Sequence, residues 1–226
     1  AAHRAAALMI EQLYPNETPG QFEAQFAQLE SAIALPAGPR AAARAAGQAA
    51  GRALVDRSLR DGSGRVWPPG NRPADFPGIW QPTWPLYAPN PTEGFAPQWR
   101  TWVPRPASRY DPPVAWRPGS DGHARETREV LEVSSSLTDA QKQAAQTWNL
   151  DAGSVTPGGV WTQLTMAELA THGTDAARAV TVLAAVTTAL HDAFVECWRV
   201  KLRDWSERPV TAIRRELDPS FAPQIG

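Results

Sequence analysis

The first third of the chain shows the spacing of amphipathic helices. Apolar residues recur every three or four positions over residues 22–33, and the pair Thr18-Pro19 precedes them as a start signal, so the pattern predicts a helix there. An alanine-rich run over residues 39–59 predicts a second helix. Residues 1–61 are therefore expected to form a helical N-terminal domain.

Two glycines interrupt the second of these runs. Gly47 and Gly51 lie four positions apart, so they share one face of the predicted helix. A face without side chains lets a neighbouring backbone approach closely. We therefore expect another helix to pack against this face.

Helical signals resume after residue 119 and continue through the rest of the chain. Three pairs of residues typical of helix N-termini predict the starts of three helices: Thr138 with Gln141, Thr156 with Pro157, and Thr174 with Asp175. The last pair opens the longest helix, residues 176–204, whose middle is apolar on nearly every face over residues 180–190. Without any strand-like alternation, the sequence predicts an all-α fold, a helical bundle around this long central helix.

Residues 62–119 differ in character from the sequence on either side. They hold 14 of the 22 prolines and six of the ten tryptophans, and so much proline excludes a regular helical or strand period. Six exposed tryptophans would be costly, so we expect an ordered, irregular arm packed on a helical body formed by residues 120–226. A flexible proline-rich tether is the alternative. The tryptophans are Trp67, Trp80, Trp84, Trp99, Trp102 and Trp116.

Composition excludes several classes of partner. The 22 basic and 23 acidic side chains leave a net charge of −1, which argues against nucleic acid or an anionic membrane bound through bulk charge. The longest uncharged apolar run, residues 179–190, is too short for a membrane span. A single cysteine excludes an internal disulfide framework. We expect a soluble chain; the compartment, export included, and the oligomeric state stay open.

The end of the long helix carries the residues of greatest chemical interest. Trp198 and Lys201 lie three positions apart and share a helix face, and Lys201 lies near the negative end of the helix dipole. Pro209 disfavours helix at Arg208, so the chain should turn there and a new helix should begin after the proline, at Val210. An ammonium and a guanidinium brought together suit a tetrahedral oxyanion. In the alternative, these two cations cap helix ends or pair with the neighbouring Asp204 and Glu207.

The segment Lys201 to Pro209 resembles the first of three signature segments of the vanadium-dependent haloperoxidases and type 2 phosphatidic acid phosphatases. Asp192, Cys197 and Trp198 resemble the preceding helix of bacterial soluble members, and the similarity extends from about residue 50 to the end. The resemblance implies that Lys201 and Arg208 bind vanadate or the phosphate of a substrate. It also implies that Trp198 shapes the halide or substrate side of the pocket. In the alternative, Trp198 is simply a core residue. For Asp192 we prefer a role as acceptor of hydrogen bonds that fix the helices.

The second and third family segments do not occur in these 226 residues. They would supply a Ser-Gly-His, an arginine and a final histidine, whereas none of the four histidines here has the required neighbours. We therefore expect no catalytic residue and no direct metal ligand in this chain, no activity from it alone, and a requirement for the C-terminal half of the domain. His191 is expected to be a hydrogen-bonded core or boundary residue and Cys197 a small buried hydrophobe. The histidines are His3, His123, His172 and His191.

The resemblance implies an enzyme that oxidises halide with hydrogen peroxide at bound vanadate, passing the halogen to an organic acceptor. One alternative is a soluble acid phosphatase of the same superfamily, which would act on a phosphomonoester through a phosphohistidine. The second is a non-catalytic helical interaction module. The long arm favours the haloperoxidase branch, but Lys201 and Arg208 alone do not distinguish the two enzymes.

Overall fold

The computed structural model describes residues 1–16, 20–104, 111–151 and 153–224. These residues form eight α-helices and no β-strand, which confirms the all-α prediction. The helices, in chain order, are α1 (Ala2–Leu13), α2 (Gln21–Ser31), α3 (Ala37–Ser58), α4 (Asp121–Ser135), α5 (Asp139–Trp148), α6 (Thr156–Thr171), α7 (Ala176–Asp204) and α8 (Pro209–Glu216), with a short 3-10 helix at Ala96–Gln98.

The first compact unit, Ala1–Arg65, contains α1, α2 and α3. Helix α1 packs on α3 at the predicted glycine face. A Cβ atom on Gly47 would lie 2.2 Å from the carbonyl oxygen of Ala1, and one on Gly51 would lie 2.9 Å from Leu8 Cδ1, so both positions exclude a side chain. The predicted start signal Thr18-Pro19 lies outside the described residues.

The second compact unit, Val66–Gly226, contains the remaining helices and the tryptophan-rich arm from Val66 onward. The predicted start signals hold for all three helices: α6 begins at Thr156 with Pro157 in its first turn, and the other two starts carry side-chain caps. Thr138 and Gln141 form a complete capping box at α5, and the Asp175 side chain accepts a hydrogen bond from the backbone N–H of Arg178. Helix α7 has the predicted bounds because this cap fixes its start and a left-handed residue, Trp205, ends it.

The expectation that other helices surround the middle of α7 is wrong for the part of the chain that is described. Only 6% of its most apolar 18-residue window is buried, and Val180 is 53% exposed. Among the described elements, α6 and the short 3-10 helix pack against α7, which is too few to enclose a helix apolar on all sides. By length and hydropathy alone α7 could also cross a membrane, but a core helix of a soluble domain meets the same criterion.

The tryptophan-rich arm, residues 62–119, contains no α-helix in its described residues, 62–104 and 111–119. Three of its six tryptophans, Trp67, Trp80 and Trp99, are half-buried, while Trp84, Trp102 and Trp116 are exposed. Only part of the predicted anchoring is therefore seen. Residues 78–80 of this segment run antiparallel to residues 205–207, joined by a bridge between Ile79 and Ser206.

Candidate functional site

The turn between α7 and α8 is built by backbone geometry and by pairing with the arm. Trp205 adopts φ 47° and ψ 34°, and its N–H donates to the carbonyl of Lys201 at 2.8 Å, which ends the helix. The N–H of Trp80 donates to the carbonyl of Trp205 at 2.7 Å, and the N–H of Glu207 donates to the carbonyl of Gly78 at 3.1 Å. The arm therefore holds the turn from the side.

Helix α8 begins one residue earlier than the sequence predicts, at Pro209 instead of Val210. Proline suits the first helical position because its fixed φ is helical and it has no N–H to satisfy. Arg208 is extended, with φ −76° and ψ 148°, and makes no side-chain capping bond. The predicted turn at Arg208 is therefore confirmed, and its guanidinium is left free of a capping role.

The Lys201 ammonium lies over an aromatic surface. Its Nζ is 4.0 Å from the centroid of the Trp198 ring, within the range of a cation–π interaction. Trp198 is itself fixed, because its indole N–H donates to the carbonyl of Thr92 at 2.7 Å and its ring stacks on Phe194 at a centroid distance of 3.9 Å. Trp198 therefore offers a ring face, and not an N–H, to the site.

The Arg208 guanidinium is exposed and contacts the arm. Its Nη1 donates to the hydroxyl of Thr83 at 3.1 Å, a residue 125 positions away in the sequence. In the described part of the chain, no carboxylate forms an ion pair with Arg208 or with Lys201. Both cations keep donors that face solvent.

The two neighbouring acids are paired with other cations. Asp204 accepts hydrogen bonds from Arg203 at 2.6 and 2.8 Å, and the hydrogen bond from Arg203 lowers the pKa of the Asp204 carboxyl. Glu207 pairs with Arg215 and with His123. The alternative in which Lys201 and Arg208 are neutralised by these acids is therefore wrong.

Glu207 belongs to a buried ion-pair network. Its side chain is 6% exposed. His123 Nε2 donates to its carboxylate at 3.0 Å, and Arg215 Nη2 donates at 2.8 Å. Burial favours the neutral acid, but Arg215 above all, together with His123 and the Gly78 backbone, outweighs this and holds the pKa of Glu207 below its ordinary 4.5. His123, Glu207 and Glu216 each place a nitrogen or oxygen that could bind a metal within 4.8 Å of the others. The two carboxylates, however, face opposite nitrogens of the imidazole, and Arg215 donates to both of them. The cluster is therefore an ion-pair network.

Asp192 joins the helix to the arm. Its Oδ1 accepts from the backbone N–H of Trp102 and its Oδ2 from that of Val103, both at 2.8 Å. The hydrogen-bond acceptor role expected for this residue is thus seen, with a partner in the arm instead of another helix. His191 does not pair with Asp192; its Nε2 faces the carbonyl of Arg100 at 3.3 Å, as expected of a boundary histidine.

The expectation that Cys197 is buried is wrong, since this residue is exposed. Adjacent helix residues point about 100° apart, and the side of α7 that carries Phe194 and Trp198 faces the arm. Cys197 lies on another side and faces solvent. The position of Cys197 next to Trp198 in the sequence therefore does not predict whether Cys197 is buried.

A groove of about 1250 Å³ in the described residues lies apart from the Lys201 and Arg208 side chains. It is lined by parts of the arm, α4 and residues 203–212, including His123 and Glu207, but neither Lys201 nor Arg208 lines it. The residues that sequence reasoning missed are Thr83, Thr92, His123 and Arg215. No local pattern marks them, because each acts across a long sequence separation or through a partner that has no motif of its own.

A solved structure resembles this chain over nearly all of its length. A crystal structure of a bacterial vanadium-dependent iodoperoxidase matches 99% of this chain with a TM-score of 0.74 and 25% sequence identity. The match covers 57% of that chain, so these 226 residues span little more than half of its length. No family model matches the sequence, and no curated protein matches it. The chain therefore has the fold of the vanadium haloperoxidase superfamily.

Proposed function

We propose that this chain carries the oxyanion-binding part of a vanadate-dependent haloperoxidase-like site, with Lys201 and Arg208 as its cationic donors. One observation carries the proposal. Both cations keep solvent-facing donors, while the acids next to them in sequence are paired with Arg203, Arg215 and His123. Because the neighbouring acids are already paired, Lys201 and Arg208 are available to bind an anion from solution.

The residues fit a tetrahedral oxyanion in charge and in donor chemistry. Lys201 brings a compact ammonium and Arg208 a planar fork, and these complementary donors suit four oxygens at different angles. Trp198 supports the ammonium from below, and Thr83 holds one nitrogen of the guanidinium. Preorganised donors lose little entropy when the anion binds. Bound vanadate would supply the chemistry that activates hydrogen peroxide toward halide.

Turnover on this proposal needs groups that the 226 residues do not contain. The Ser-Gly-His and the final arginine and histidine of the family segments are absent from the sequence. We propose that Lys201 and Arg208 work together with a C-terminal half of the domain, that the chain alone is inactive, and that the complete protein uses halide, hydrogen peroxide and an organic acceptor. The solved neighbour's description as a vanadium-dependent iodoperoxidase supports this choice over a phosphomonoester.

Anion titration tests the proposed site directly. Calorimetric titration of the chain with orthovanadate and with phosphate should show one binding event. Lys201→Met and Arg208→Met should each weaken it about 10- to 100-fold, the range of one charge-assisted hydrogen bond. Lys142→Met is the matched control, because Lys142 is the other lysine and lies on α5 beside Asp139.

Two results would overturn the oxyanion site: binding that is unchanged by both site substitutions, or equal loss in the Lys142 variant. A separate assay distinguishes the two enzymes. The complete protein should brominate monochlorodimedone in the presence of vanadate and peroxide. Hydrolysis of p-nitrophenyl phosphate without them, and no halogenation, would assign it to the phosphatases instead.

A further inference from the structure

The side chain of Glu207, the residue directly before Arg208, points to the opposite side of the chain from that of Arg208. Residues 206–208 are extended and paired with the arm through Ile79, and side chains alternate along an extended segment. Ser206 and Arg208 are exposed, whereas the side chain of Glu207 is 6% exposed. Whatever holds Glu207 inward therefore also sets the direction in which Arg208 points.

Two side chains from different helices hold Glu207. His123 of α4 donates from Nε2 at 3.0 Å, and Arg215 of α8 donates from Nη2 at 2.8 Å. The N–H of Glu207 is bound to the carbonyl of Gly78. A buried carboxylate needs such partners, because an unpaired one would be strongly destabilised and would turn toward water.

His123 is well placed to act as the rigid part of this arrangement. It lies in the first turn of α4, where its N–H donates to the capping hydroxyl of Ser120 at 3.3 Å. Its ring is 10% exposed, and its Nδ1 lies 3.5 Å from the carboxylate of Glu216. The imidazole therefore ties the start of α4 to Glu207, just before α8, while its buried Nδ1 has no hydrogen-bond partner among the described residues.

The backbone on the other side of Arg208 is equally fixed. Its carbonyl accepts hydrogen bonds from the N–H groups of Thr211 and Ala212 at 2.9 and 3.3 Å. Pro209 restricts the conformation of Arg208 to the extended region. The orientation of Glu207 therefore sets the side of the backbone from which the Arg208 side chain leaves, and the hydrogen bond to Thr83 then holds its guanidinium.

We propose that His123 is a positioning residue, which acts through Glu207 to aim Arg208 at the oxyanion. This inference rests on the proposed function of Arg208. It predicts that a residue 85 positions away in sequence, without contact to the anion, controls affinity for it. A purely structural role of His123 would change stability and leave the facing of Arg208 unaltered.

Two amide substitutions separate these roles. In His123→Gln the side-chain NH₂ replaces the Nε2 donor, whereas in His123→Asn it stops near the position of Nδ1 and does not reach Glu207. Orthovanadate titration should give about tenfold weaker binding for the Asn variant and nearly parental binding for the Gln variant. His172→Asn, a substitution at an exposed histidine on the end of α6, is the control. Equal affinity in both His123 variants would overturn the proposal, as would equal losses that follow the melting temperature.

A second measurement does not depend on anion binding. Relaxation of the Arg208 Nε–H group by ¹⁵N NMR reports the order of its side chain. That order should fall in His123→Asn and be kept in His123→Gln, with Arg178 unchanged in both. If the parent chain binds no vanadate but Arg208 responds in this way, the proposed function fails while the positioning role stands. If Arg208 is equally ordered in all variants, the positioning role fails.

Discussion

The two halves of α7 are equally helical but differ in the residues with which their side chains form hydrogen bonds. In the first half, residues 176–190, the threonine hydroxyls bond only to carbonyls one turn earlier in the same helix. In the second half, Asp192, Trp198 and Arg199 reach residues of the arm that lie 88–106 positions away. The first half is the more apolar of the two and the less enclosed.

This difference shows that apolar composition does not by itself bury a helix. A helix is buried only where other elements pack against it. The described arm and the 3-10 helix cover the second half of α7, where Asp192 and Trp198 form hydrogen bonds with backbone groups of the arm. The candidate site lies at that end. Its cations, Lys201 and Arg208, are both held by residues of the covering arm or the covered face.

The largest expected effect comes from the same substitution made in each half. Val195 is fully buried and Val180 is 53% exposed. Val195→Ala should lower the free energy of unfolding by about 2 kcal/mol, because it removes two buried methyl groups and leaves a cavity. Val180→Ala should change it by less than about 0.5 kcal/mol. Urea denaturation followed by circular dichroism measures both, and equal losses would contradict the contrast between the halves.

The next effect concerns the tie between helix and arm. Asp192→Ala removes the acceptor of two backbone N–H groups and should cost about 1.5–2 kcal/mol, less than two buried charge-assisted bonds because these groups are partly solvated. Asp192→Asn keeps one acceptor oxygen and should lose about half as much. The same denaturation experiment tests this, and tryptophan fluorescence should report loosening near Trp102. If the two variants were equally stable, the paired acceptor role would be refuted.

A smaller effect is expected from Trp198. Trp198→Phe keeps an aromatic face under Lys201 but loses the hydrogen bond to the carbonyl of Thr92, which should cost about 1 kcal/mol. Trp198→Leu also removes the cation–π contact, so vanadate affinity should fall further than in the Phe variant. Titration of both variants checks this order. The reverse order would show that the ring face does not support the ammonium.

The smallest effect is the pH dependence of the unfolding free energy that Glu207 causes, just beyond the second half of α7. The pKa of Glu207 is lowered in the folded chain from its ordinary 4.5, so its charge contributes stability above pH 4.5 that is lost as the pH falls through the lower folded value. The difference in unfolding free energy between the parent and Glu207→Gln should therefore shrink on acidification below pH 4.5. A difference that stays constant from pH 6 to pH 3 would mean that the carboxylate is not stabilised by its partners.

The sequence predicted what is local and missed what is distant. The bounds of α7, the capping box at Thr138 and the turn before Pro209 follow from residues within a few positions of each feature. The contacts of Asp192 with Trp102 and of Arg208 with Thr83 join residues 90 and 125 positions apart, and no periodicity encodes them.

Exposure was harder to predict than helix position. Cys197 and the apolar middle of α7 were expected inside because of their residue types, but type alone does not specify which surface covers them. The available donors of Lys201 and Arg208 depend in the same way on how Asp204 and Glu207 are paired, which only the three-dimensional arrangement decides.

Vanadium anomalous scattering from crystals of the chain soaked in orthovanadate is the most direct measurement of the central claim. A single peak within hydrogen-bonding distance of both the Lys201 ammonium and the Arg208 guanidinium is the result we predict. An ammonium and a guanidinium that face solvent on opposite sides of the turn, with vanadium bound elsewhere or not at all, would contradict it.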